Sequence, residues 1–238
     1  ASDLGRAYKS LAVAELAIRP GDVVLDLGCG PGADLPTLAE AAGPAGRVIG
    51  IDNDPDAVRQ ARERTADLPQ VEVHEGDVQA LGFPAGSADK ARTDRVLQHV
   101  SDPAAVLAGA RRVLRDGGTA VFAEPDWETL VIDYPDLAAA RAYTRFITDR
   151  VVRNAVLGRQ LPRLAAAAGF QVRKVIPVTA VYRDVREADQ VLGLKRVTGR
   201  AVQAGYLTPE AADQWLSHLV AQPFFASATL FITTATAG

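Results

Sequence analysis

The chain has 238 residues, 48% hydrophobic and 23% charged, a net charge of −3 and one cysteine. Its length fits one large domain, and its acidic balance gives no footprint for nucleic acid or an anionic membrane. The single cysteine excludes intrachain disulfides and cysteine-rich metal sites, and with no signal-peptide pattern or bilayer-length apolar run it points to a soluble, cytoplasmic protein.

Short β-branched runs alternate with alanine-rich stretches, the pattern of an α/β fold around a parallel sheet. The first strand is predicted at Val23–Leu27 and runs into Gly28, Gly30 and Gly32, a turn that opens a helix over 33–42. A second strand at 48–51 ends at Asp52, and Asp54 then caps a helix over 55–68 with proline at its first position. The third strand, Val71–Glu75, leads to Asp77. A fourth at 89–93 precedes a helix over 103–114, which follows Asp102 and stops at Asp116-Gly117-Gly118. Three more strands are expected at 119–122, 172–176 and 229–234.

Two stretches fall outside this alternation. Residues 126–158 read as helical from Leu137, Ala140, Tyr143, Ile147 and Val151. Residues 183–223 hold one helix near 188–204 and another begun by Thr208-Pro209-Glu210. Both are expected as cap insertions in a single domain of residues 1–238, building the substrate pocket.

Asp26, Asp52 and Asp77 recur at steps of 26 (52 − 26) and 25 (77 − 52) residues, each near the end of an apolar run. If the runs are parallel strands, the acids line the carboxyl edge of the sheet, where ligands bind in open α/β folds. Gly28, Gly30 and Ala33 also satisfy the loose dinucleotide pattern, with Asp52 downstream. Charge separates the two readings: a pyrophosphate at this turn would meet Asp26, whereas a sulfonium with an α-ammonium would be favoured. Cys29, inside the turn, reads as a small buried residue.

VLDLGCGPG, IDNDP, EGDV, RVLQHVSDP and RRVLRDGG occur in that order. Together they resemble the class I S-adenosylmethionine-dependent methyltransferases, in the branch of ubiquinone/menaquinone-type and small-molecule enzymes. The resemblance is strong over residues 20–125 and weak elsewhere. It implies a Rossmann-like seven-stranded sheet of order 3-2-1-4-5-7-6, the last strand antiparallel, with helices on both faces. It also implies S-adenosyl-L-methionine as cofactor and S-adenosyl-L-homocysteine as product. By resemblance, Asp26, Gly28 and Gly30 hold the methionine end. Asp52 takes the ribose hydroxyls, Asn53 lies near the adenine, and Asp77 with the backbone of Val78 reads the adenine amino group. Arg92 and Thr93 give backbone contacts near the sulfonium.

Methyl transfer from a sulfonium needs positioning and exclusion of water, and a base only when the acceptor must lose a proton early. His99 is the candidate base, while His74 and His218 read as structural or exposed. Glu124, Asp126 and Trp127 are candidate acceptor contacts, with Tyr8, Arg141 and Tyr143 reaching in from the N-terminal segment and the cap. No Asn/Asp-Pro-Pro-aromatic loop follows the fourth strand, which argues against nucleic-acid and protein substrates. No metal-spaced histidine–carboxylate cluster is present. The leading expectation is methyl transfer to a small molecule at oxygen, nitrogen or carbon, in secondary metabolism. The rivals are a nicotinamide-dependent oxidoreductase and a cofactor-binding cyclase or regulatory module without transfer. Oligomeric state is not legible.

Overall fold

The computed structural model describes residues 3–238, with side chains from Gly5 onward. Helix α1 (Asp3–Leu16) precedes β1 (Val23–Leu27), α2 (Leu35–Ala42), β2 (Arg47–Asp52), α3 (Pro55–Arg64), β3 (Val71–Glu75), β4 (Ala88–Asp94), α4 (Pro103–Val113) and β5 (Leu114–Ile132). Then come α5 (Leu137–Phe146), a π-helical turn (Ile147–Val151), α6 (Leu157–Ala167), β6 (Phe170–Tyr182), α7 (Val185–Leu192), α8 (Leu194–Gln203), α9 (Pro209–Ala221) and β7 (Ala226–Ala237). The seven strands form one sheet in the order β3-β2-β1-β4-β5-β7-β6.

The first five strands run parallel, with Val24 opposite Val48 and Lys90, Val48 opposite Val71, and Ala91 opposite Ala120. β7 runs the other way. The Thr229 amide bonds Thr129 Oγ1 and the Asp133 amide bonds Phe225 O, so positions rise on β5 as they fall on β7. The same inversion relates β6 to β7 through Thr179 with Thr229 and Arg173 with Thr236. The order and the antiparallel last strand are those expected.

The chain divides into two compact units. One comprises the chain up to Glu124 together with Gly158–Ile176 and Phe231–Gly238; the other comprises Pro125–Leu157 and Pro177–Leu230. The chain passes between them within β5, β6 and β7 and just after α6 begins. In the first unit the core is Val24, Leu25, Leu27, Leu35, Leu38, Val48, Leu107 and Phe122, all essentially inaccessible. The second unit has its own core around Trp215, Tyr143, Phe146, Leu192 and Leu219. Trp215 meets Tyr134 edge-to-face at 5.0 Å and lies tilted on Tyr143 at 5.4 Å, and it donates to Thr198 Oγ1.

Several element boundaries differ from expectation: β6 and β7 are longer and α2 and α3 shorter than read, and three further differences have clear causes. β5 continues to Ile132 because Thr129, Leu130, Val131 and Ile132 are β-branched or apolar and alternate in exposure, a strand pattern. Helix starts only at Leu137, where the Asp136 side chain takes the amides of Ala138 and Ala139. The helix expected over 188–204 is two, because Gly193 at φ 62° closes α7 with its amide on Asp189 O. Among the described residues no helix is long and apolar enough to cross a membrane.

Candidate functional site

Sequence places the glycines where the turn needs them. Gly28 has φ 79°, and a Cβ there would lie 2.4 Å from Val96 Cγ2, so the loop after β4 packs against bare backbone. Gly30 has φ 53° and open space where a Cβ would stand. The turn is tied to β2: the Gly28 and Cys29 amides bond Ile51 O, and the Gly30 amide bonds Asp52 Oδ2 at 2.7 Å. Asp52 Oδ1 accepts from the Asp54 amide at 3.0 Å. Each Asp52 oxygen therefore holds one amide and keeps lone-pair capacity for a further donor. Cys29 fills space beside Gly50, and burial pushes its thiol up to about 12, so it is no nucleophile at neutral pH.

Asn53 and Asp77 are exposed past the ends of β2 and β3, and Val78 is buried. Asp77 accepts from the amide and side chain of Gln79. Asp52 and Asp77 thus sit at the carboxyl ends of adjacent parallel strands, as their spacing suggested.

Asp26 is different. It lies inside β1, buried, directly opposite Arg92 of β4, so the two side chains share one face of the sheet. Arg92 Nε meets Asp26 Oδ1 at 3.2 Å, and Nη2 meets Asp34 at 2.7 Å and Asp94 at 3.5 Å. From α1, Lys9 reaches Asp34 at 2.8 Å and Asp94 at 3.4 Å, while the Tyr8 hydroxyl donates to Asp94 at 3.1 Å. Burial disfavours the Arg92 charge, yet Asp26, Asp34 and Asp94 outweigh it and hold the guanidinium protonated. Burial pushes the Asp26 carboxyl up to about 6 against the pull of Arg92. Asp34 is half-buried, which favours its neutral form, but Arg92 and Lys9 keep its carboxyl below the usual range. Burial and the neighbouring Asp94 charge raise the Tyr8 phenol, so it stays neutral.

This corrects the electrostatic reading. Asp26 belongs to a cluster of three carboxylates and two cations and pairs directly with Arg92, so it is no isolated negative charge and the case against a phosphate ligand does not rest on it alone. It also bears on Tyr8 as an acceptor contact, and it gives the Arg92 side chain a task apart from the backbone role expected of that residue. Tyr8 spends its hydroxyl on Asp94, and Arg92 binds three acids with its side chain. The fully buried Thr93 hydroxyl has no hydrogen-bond partner. Asp34, Asp94 and Lys9 were missed. The available signal was Lys90 and Arg92 on alternate positions of a central strand: a buried cation requires carboxylate partners.

After β4 the chain turns at Arg95, a non-glycine residue at φ 58° whose amide bonds Ala123 O. The next three amides converge on Glu124, which is fully buried at the corresponding point of β5. Oε1 takes Val96 at 2.8 Å and Leu97 at 2.7 Å, and Oε2 takes Gln98 at 3.3 Å. Burial pushes the Glu124 carboxyl up to about 8, with the amides pulling the other way. Glu124 therefore ties down a turn and is not exposed to an acceptor. His99 lies on that turn, exposed, its amide on Val96 O. Partial burial and the Arg95 charge lower its pKa, so its imidazole is neutral near pH 7.

The remaining expected contacts belong to the second unit. Asp126 is buried and accepts from the Glu128 amide. Trp127 packs on the unit's apolar core and donates its amide to Ala155 O. Tyr143 is a core residue with its hydroxyl on Leu192 O, which corrects its reading as an acceptor contact. Arg141 is exposed and, with Arg145 and Tyr206, lines a surface pocket of about 260 Å³.

Residues 18–169 match a family model described as a methyltransferase domain. The chain belongs to that family. A curated relative, an uncharacterized 37.1 kDa protein in transposon TN4556 of Streptomyces fradiae, is 60% identical over 99% of this chain and 68% of its own length. A demethylmenaquinone methyltransferase of Staphylococcus aureus is 31% identical over 127 residues, 53% of each protein. The chain thus spans about two thirds of the first relative and half of the second. Among solved structures, the YcgJ protein of Bacillus subtilis superposes with a TM-score of 0.69 at 18% identity, covering 97% of this chain and 98% of that one, which speaks to the fold. Membership of a methyltransferase family removes the nicotinamide-dependent reading and leaves S-adenosylmethionine as the expected donor.

The residues present suit that donor. Open backbone at Gly30 and an amide-fixed carboxylate at Asp52 offer acceptors to hydroxyl groups. The Asp26–Asp34–Asp94–Arg92–Lys9 cluster carries both signs, as does a zwitterionic amino-acid tail.

Proposed function

We propose that this methyltransferase acts on a small-molecule acceptor and holds its donor at the carboxyl ends of β1, β2 and β3. In this reading Asp52 accepts from the ribose hydroxyls, Gly28 and Gly30 admit the thioether end beside Asp26, and Asp77 with the amide of Val78 meets the adenine. Asn53 flanks the base, and the backbone of Arg92 and Thr93 borders the reacting carbon. The donor supplies a methyl carbon on a positively charged sulfur, which leaves as a neutral thioether. The protein orients the acceptor, keeps water out and, for a hydroxyl acceptor, removes a proton through the neutral imidazole of His99.

The observation that carries this reading is the Asp52 carboxylate, fixed by the Gly30 amide at 2.7 Å and the Asp54 amide at 3.0 Å at the end of β2. Pre-orientation of an acceptor at that strand end is what vicinal hydroxyls require. The net charge of −3 supports a small acceptor over a nucleic acid. The alanine- and arginine-rich, methionine-free composition supports a place in secondary metabolism.

Calorimetric titration with S-adenosylhomocysteine tests the donor assignment. Asp52→Asn should weaken binding about 10-fold through loss of charge-assisted contacts. Equal affinity in parent and variant would remove Asp52 from the site.

A further inference from the structure

The exit of β4 carries a feature that donor binding does not use. Arg95 adopts φ 58°, a left-handed conformation that costs a non-glycine residue stability and persists only where the surroundings impose it. Three restraints impose it here. The Arg95 amide is held by Ala123 O, its carbonyl accepts from Gln98 Nε2 at 3.3 Å, and the following three amides are gathered by Glu124. The sequence offers twenty glycines elsewhere, yet this position keeps a long cationic side chain.

That side chain is half in solvent, at 51% exposure, with Nε 3.5 Å from Asp94 Oδ1 and its guanidinium carbon 6.0 Å from the centre of the Tyr8 ring. Four residues on, the same clamped turn carries His99, also exposed. The groups around the pair are Asp94 and Tyr8 on one side and the buried Glu124 beneath. Asp94 is already shared among Tyr8, Lys9 and Arg92, so it offers Arg95 only part of a counter-charge.

We propose that Arg95 is an acceptor-binding residue and that the acceptor is an acidic hydroxyl compound, a phenol or enol, which gives its proton to His99 and is then held as its oxyanion with Arg95 facing the oxygen. The inference rests on the methyltransferase reading above. The balance is simple. The acceptor O–H bond breaks and its proton passes to the His99 imidazole. The oxygen lone pair forms the new C–O bond while the C–S bond breaks and its electron pair stays on sulfur. A fixed guanidinium beside the developing oxyanion stabilises it without reorganising, and the Tyr8 ring offers an apolar face beside the guanidinium for an aromatic acceptor.

Two probes of nearly one shape test this, 4-nitrophenol at pH 8, where it is ionised, and neutral 4-nitroanisole. Each is titrated against protein saturated with S-adenosylhomocysteine. The parent should prefer the phenolate by about tenfold or more. R95Q should bring the preference close to unity, R95K should keep part of it, and H99Q should retain it. R95G adopts the left-handed backbone freely and should melt at or above the parent temperature, so loss of preference in that variant reflects the missing cation and not misfolding. Equal binding of the two probes by the parent, binding of neither, or a preference that survives R95Q would overturn the proposal. Failure of S-adenosylhomocysteine itself to bind would instead overturn the donor assignment beneath it.

Discussion

Glu124 offers the sharpest test of the site's construction. Its two oxygens are unequal: Oε1 takes two short amide bonds, at 2.8 and 2.7 Å, whereas Oε2 takes the Gln98 amide at 3.3 Å. A proton on Oε2 therefore forfeits one long contact, in keeping with a carboxyl that burial pushes up to about 8. Glu124→Gln puts an amide nitrogen in place of one oxygen and should cost little, about 1 kcal/mol or less. Glu124→Ala leaves the Val96 and Leu97 amides buried without an acceptor and opens a cavity, costing about 3–5 kcal/mol, or roughly 10 °C in melting temperature. The sign of the pH dependence follows from the raised pKa. Between the ordinary 4.5 and about 8 the native state binds more protons than the unfolded state, so this group's stabilisation is complete at low pH and declines as pH rises through that window. Glu124→Gln cannot titrate. Thermal melts at pH 5, 7 and 9 should show the variant near the parent at pH 5 and gaining on it by pH 9. Parallel profiles for the two proteins, or a harmless Glu124→Ala, would refute the clamp.

Two further substitutions probe the buried framework. Arg92→Met removes the cation that Asp26, Asp34 and Asp94 share and should destabilise by about 3–5 kcal/mol at neutral pH. The loss should shrink at low pH as the carboxyls protonate, and urea titrations showing a pH-independent cost would contradict the cluster's ionic character. Gly28→Ala drives a methyl into Val96 at a backbone φ of 79° and should destabilise by about 2 kcal/mol or more. Adding Val96→Ala should recover the steric part but not the backbone part, and full recovery or none in a double-mutant melt would show that one of the two causes is absent.

The strands β1, β2 and β3 were legible because each is a short valine- or isoleucine-bearing run with an acid at or near its end, and α3 and α4 begin at the caps Asp54 and Asp102. The long β5 was not. Its first part reads as a strand, but Pro125 and the acids that follow look like an ending, and the helical spacing from Leu137 invites an earlier helix than Asp136 permits. Asp52 and Asp77 were legible as strand-end acids. Asp26 was legible as an acid but not as a partner of Arg92, because register decides which residues face each other across β1 and β4. The roles of Glu124 and Tyr143 went unread for a similar reason. A glutamate after a strand and a tyrosine on a helix look alike in sequence whether they meet a ligand, a buried amide or a neighbour's carbonyl.

A crystal structure of the protein grown with S-adenosylhomocysteine tests the central claim most directly. The account predicts ribose hydroxyls on the Asp52 carboxylate and the thioether chain along Gly28 and Gly30. Ligand density at any other place on the sheet, or an Asp52 carboxylate that meets no part of the bound nucleoside, would contradict it.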